Sequence, residues 1–110
     1  MNFNEYQKKA ISTAIHPDKY KIIYPALGLG NEAGEVLGKI KKWLRGDDGD
    51  GDMTNDRKES LKGELGDVLW YLATLANELD LSFEEIAEYN LEKLQSRKKR
   101  GVLRGDGDNR

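Results

Sequence analysis

Leu61, Leu65, Val68, Leu72, Leu75 and Leu79 recur at steps of three and four residues along a stretch that contains no proline. That spacing follows the turn of an α-helix and is incompatible with the two-residue alternation of a half-buried strand. It commits about Asp56–Leu79 to one long helix with a narrow apolar stripe. The same reading extends along the chain. Leu29, Ala33, Val36, Leu37, Ile40, Trp43 and Leu44 predict a helix over about Leu27–Leu44, closed by Gly46. Residues 4–15 predict a first helix that stops before His16-Pro17, and "YKIIYPALGLG" reads as an extended connection. Ser82 and Glu85 form an S-x-x-E capping box that opens a helix running to about Arg97, with Phe83, Ile86, Tyr89 or Asn90, and Leu94 inward. The expectation is an all-α, four-helix-bundle-type single domain over residues 1–110, with its core in about 4–100 and a polar tail at 101–110, loose or packed on a partner.

Composition removes several function classes. With 18 basic and 20 acidic residues the chain lacks the positive excess of a nucleic-acid binder, so no nucleic-acid polymer is expected as a partner. Cysteine is absent, which excludes disulfides and thiolate metal sites. No segment approaches the ~20 apolar residues of a membrane span, and no apolar run marks a signal peptide at the N-terminus. A soluble, cytoplasmic protein is the expectation.

Chemistry enters with the acids. Glu32 and Glu35 lie in "NEAGE" on the second helix, and Glu64 and Asp67 lie in "GELGD" on the third. Each pair is spaced i, i+3, so its carboxylates share a helix face. At ~100° per residue, both pairs sit to the same rotational side of their apolar stripes. A short loop makes the two helices an antiparallel hairpin, which brings the offsets together along one groove. Four carboxylates so placed repel and raise one another's pKa unless a hard cation binds them. Mg2+ suits a few carboxylates completed by water and phosphate oxygens. Gly34 and Gly66, between the acids of each pair, point to close approach of a helix or ligand. As common as solvated acid pairs are on helices, a scaffold has no reason to converge two of them.

A second acidic feature competes for the metal. "GDDGDGDMTNDRKES" at residues 46–60 approaches the EF-hand pattern, with Asp48, Asp50, Asp52, Asp56 and Glu59 at ligand positions. The pattern needs glycine at its sixth position, where the chain turns sharply, and Met53 stands there instead. The run therefore reads as a solvated connector, with a calcium-binding EF-hand-like module over Asp48–Glu59 as an alternative. A non-catalytic helical dimerisation protein is the other.

Glu32-x2-Glu35 followed by Glu64-x2-Asp67 resembles the E-x2-E…E-x2-D signature of the MazG-like nucleotide pyrophosphohydrolases, an all-α superfamily. The likeness spans about residues 25–100 and includes Asn90-x2-Lys93 on the fourth helix. It implies a homodimer or homotetramer and a Mg2+ site made of Glu32, Glu35, Glu64 and Asp67, with Mn2+ as a substitute. It also implies cleavage of a nucleoside triphosphate between the α- and β-phosphates, in the manner of nucleotide-pool house-cleaning. Glu35 or Glu64 is the implied base. Asn90 and Lys93, with Arg97 one turn on, are candidate phosphate contacts. Trp43, Trp70 and Tyr71 are aromatic candidates for the nucleobase, Tyr71 because it shares a face with Asp67. His16 is an outside candidate. For both tryptophans, core or interface packing is the competing use.

Overall fold

The computed structural model describes residues 1–47 and 51–110, so Asp48 and Asp50 of the EF-hand-like run lie outside the described residues. Among the described residues the chain is all-helical. It contains α1 (Phe3–Ile11), a 3-10 turn (Asp18–Tyr20), α2 (Ile23–Arg45), α3 (Asn55–Glu78) and α4 (Phe83–Lys99). No helix of the described residues is long and apolar enough to cross a membrane.

Local chemistry sets the helix ends. Asn2 and Glu5 close a capping box at the start of α1, and Ser82 and Glu85 close the expected one at the start of α4. Thr54 Oγ1 accepts from Arg57 N–H to cap α3. Gly46, with φ 78°, ends α2 as its position suggests. The α3–α4 turn is a Schellman closure in which Asp80 takes φ 57° and Leu81 N–H donates to Ala76 O at 2.9 Å.

Two boundaries differ from expectation. α1 ends at Ile11, four residues early, where the Ser12 and Thr13 hydroxyls donate to the carbonyls of Lys9 and Ala10. α2 begins at Ile23, so most of the segment expected to be extended is helical. Pro25 falls in the first turn of α2, where a missing N–H costs nothing, and it is buried there.

α2 and α3 form the principal hairpin, and α1 crosses α3. A small core of Ala10, Ala73 and Phe83, flanked by Tyr6, Leu69 and Trp70, joins α1, α3 and α4. Buried Gln7 stitches it together. Its Nε2 donates to Ala73 O at 3.3 Å and Leu81 O at 3.0 Å, and its Oε1 accepts from Phe83 N–H at 3.0 Å. Trp70 Nε1 donates to Thr13 Oγ1 at 2.9 Å, and its ring packs against this core. The tail is ordered by arginines rather than loose. Arg110 donates to the carbonyls of Val102, Leu103 and Gly107, and Arg100 donates to the carbonyl of Arg110.

The apolar stripes exceed what one chain covers. Leu65 and Leu72 on α3, Leu79 at its C-cap, and Leu37 and Leu44 on α2 stay exposed. The radius of gyration is 17.1 Å and the accessible surface 8288 Å².

Candidate functional site

The α2–α3 hairpin brings three of the four acids together. Carboxylate oxygens of Glu32, Glu64 and Asp67 lie within 4.8 Å of one another. Glu32 and Glu64 are half-buried and Asp67 is exposed. Glu35, one turn beyond Glu32, is exposed and stands outside the trio, though its charge still reaches Glu32. Burial pushes the Glu32 carboxyl above its ordinary value, and Asp67, Glu64 and Glu35 push it further in that order. The convergence follows from the register: an antiparallel pair sets the i, i+3 acids of one helix against those of the other.

Among the described residues, a lysine pairs with one member of the trio. Lys39 Nζ lies 3.4 Å from Glu64 Oε1. Lys39 escaped the sequence reading, although it follows Glu32 by seven residues and so shares its face.

Toward the start of α2 the groove ends in tyrosines. Tyr24 lies beside Tyr71, and Tyr71 is near enough to Glu32 and Asp67 to feel their charge. Burial raises the Tyr71 pKa first, and the neighbouring Tyr24 and the two acids add to it. The Tyr71 ring meets Trp70 edge-on at 4.9 Å and presses on the α2 backbone at Gly28. A Cβ on Gly28 would fall 2.1 Å from Tyr71 Cε1, so this approach requires glycine. Tyr6 on α1 closes the same side, its pKa raised by burial and then by Asp67. Behind Tyr24, His16 stacks on the ring at 5.6 Å and 11°, and its Nε2 lies 3.5 Å from Glu78 Oε1. Neither Gly28 nor Tyr24 was singled out from sequence. The repeat Tyr24, Gly28, Glu32 at four-residue steps was the available signal.

At the opposite end, Trp43 lines a pocket of about 280 Å³ between α2, α3 and the linker. Asn90 and Lys93 are exposed on α4, whose main contacts are with α1 and α3. No hydrogen bond or ion pair among the described residues joins them to the trio. Arg97 is buried and turned to the tail, with Nη2 donating to Asp108 O at 2.6 Å. Of the EF-hand-like ligands that are described, Glu59 pairs with Lys62 at 2.7 Å on the surface of α3, and Asp56 lines the Trp43 pocket.

The donor set is oxygen-only, anionic and open to solvent on one side, which fits a hard divalent cation that keeps waters and phosphate oxygens. Comparison with known proteins agrees with this chemistry. The family model described as "MazG nucleotide pyrophosphohydrolase domain" matches residues 25–102. "Gene 37 protein" of Mycobacterium phage L5 is 47% identical over 116 residues, covering 100% of both chains. No solved structure matches. The matched span takes in both acid pairs, the whole α3–α4 turn and Asn90-x2-Lys93, so the chain belongs to the MazG nucleotide pyrophosphohydrolase family.

Proposed function

We propose that this protein is a Mg2+-dependent nucleoside triphosphate pyrophosphohydrolase that cleaves between the α- and β-phosphates, releasing a nucleoside monophosphate and pyrophosphate. The observation that carries this reading is the convergence of Glu32, Glu64 and Asp67 within 4.8 Å. These three would hold the cation, with Mn2+ as an acceptable substitute. When bound, the cation neutralises phosphate charge as it develops.

The chain's own groups divide the remaining work. Glu35 is a carboxylate beside the trio but not in it, which suits it to take a proton from the attacking water. Glu64 already balances Lys39 and is the weaker candidate for base. Lys39 is placed to meet phosphate oxygens at the edge of the trio. Asn90 and Lys93 are exposed on α4, and no hydrogen bond or ion pair among the described residues joins them to their own chain's trio, so we assign them to the substrate of a second copy of the chain. This favours a homodimer or homotetramer with composite sites.

Product identity tests the reading. Incubation with a panel of ribo- and deoxyribonucleoside triphosphates and Mg2+, followed by phosphorus NMR, should yield monophosphate and pyrophosphate from at least one of them. Diphosphate and orthophosphate as the only products would mean β–γ cleavage and would defeat it.

A further inference from the structure

Resting on that reading, we infer that His16 is a positioning residue for the carboxylate trio, acting on Glu32 through the rings of Tyr24 and Tyr71. The residues concerned alternate between α2 and α3. Tyr24, Gly28 and Glu32 follow one another by single turns on α2, and Tyr71 and Glu78 lie two turns apart on α3. The Tyr71 ring rests against Gly28, where a Cβ would fall 2.1 Å from its Cε1. At 1.5 Å per residue, Tyr24 stands about 6 Å to one side of that seat and Glu32 about 6 Å to the other. A ring held there fills the space behind Glu32 and keeps its carboxylate on the side of Glu64 and Asp67.

Tyr24 in turn depends on His16. It is the second residue of α2 and is 42% exposed, so the helix alone leaves its ring loosely held. His16 stacks on that ring at 5.6 Å and 11°, and its Nε2 lies 3.5 Å from Glu78 Oε1. The His16 side chain is only 9% exposed, a deep setting for a residue in a connection. Pro17 restricts the His16 backbone to extended conformations, so the imidazole has little freedom to lose in this slot. His16 and Tyr24 precede residue 25, where the family likeness begins, so this brace comes from outside the matched domain. Groups that orient metal ligands raise metal affinity, and removing a direct partner typically costs about 10–100-fold. His16 acts one ring further out, so a smaller loss is expected.

The test uses Mn2+ alone, titrated into the full chain without nucleotide and read by electron paramagnetic resonance of the free ion. Two variants separate the contacts of His16. His16→Phe keeps a ring on Tyr24 and loses the link to Glu78, whereas His16→Gln keeps a donor for Glu78 and loses the ring. Titrating well below each melting temperature keeps a loss of stability from reading as a loss of affinity. His16→Gln should weaken Mn2+ binding about fivefold, and His16→Phe should stay within about twofold of wild type. In a Tyr71→Ala background, which itself weakens the ion, His16→Gln should add nothing. A merely structural tie between the connection and α3 would lower the melting temperature and leave Mn2+ affinity alone. Unchanged affinity in His16→Gln, an equal loss in His16→Phe, an additive loss in the Tyr71→Ala background, or no Mn2+ binding by wild type overturns the assignment. Wild type that binds Mn2+ but cleaves no triphosphate sinks the proposed function instead, and the titrations still decide the role of His16.

Discussion

Glu32 sits under like-charge repulsion from its neighbours. Burial and three neighbouring carboxylates hold its pKa above the ordinary value, so its ionisation is less favourable folded than unfolded. Its stabilising contribution is therefore complete below the ordinary glutamate range and is lost as pH rises through the raised folded value. At neutral pH without metal, the ionised group works against the fold. Glu32→Gln should then melt at a higher temperature than wild type in chelator. That advantage should vanish as pH falls through the raised pKa, because both side chains are then neutral. Excess Mg2+ should raise the wild-type melting temperature by ligand linkage and the variant's far less, inverting the order. A variant less stable than wild type in chelator at pH 7 would show that the trio is not under like-charge strain.

At the scale of the helices, the contact between Tyr71 on α3 and Gly28 on α2 sets how closely the acid-bearing helices approach. A methyl at Gly28 has no room unless the ring moves. Gly28→Ala should destabilise the protein by about 1–3 kcal/mol, the usual range for overpacking. It should cost far less in a Tyr71→Ala background, because the clash partner is gone. Additive losses in the double variant, read from denaturant melts, would mean the two residues do not meet. The sequence revealed the acid pairs because i, i+3 spacing is a property of one helix, and it revealed Gly46 and Ser82 because capping is local. It concealed the start of α2, since Pro25, Gly28 and Gly30 weaken helix propensity and tertiary packing overrides it. It concealed the Gly28–Tyr71 approach, the Lys39–Glu64 pair and the separation of Glu35 from the trio, because each depends on how one helix is rotated against another. Arg97 reads as a surface cation by composition, yet the tail folds over it. Nothing in helical periodicity announces that.

For the whole molecule, size and shape disagree with a self-sufficient subunit. A compact chain of this length has a radius of gyration of about 13 Å, whereas this one has 17.1 Å. A monomer of 12.5 kDa exposes about 6200 Å², whereas this chain exposes 8288 Å². The surplus exceeds the ~800 Å² that one partner buries in a standard interface. Part of the exposed apolar surface lies on α4, where Tyr89 is 71% exposed, Leu91 56%, Leu94 40% and Ile86 38%. A hollow of about 270 Å³ between Leu81, Glu85, Ile86 and Tyr89 gives that face relief for a second helix. Association through α4 would also carry Asn90 and Lys93 toward another copy's groove. Wild type should therefore sediment as a dimer or tetramer at micromolar concentration. Tyr89→Asp removes a large apolar anchor and sets a charge in the interface, but Tyr89 is too exposed to support its own subunit. The variant should sediment as a monomer, keep its helical circular-dichroism signal and lose triphosphate hydrolysis. A Tyr89→Asp protein that remains a full-sized oligomer would remove this face of α4 from the interface. A fully active monomer would show that one chain's trio and Lys39 suffice without Asn90 and Lys93 from a partner.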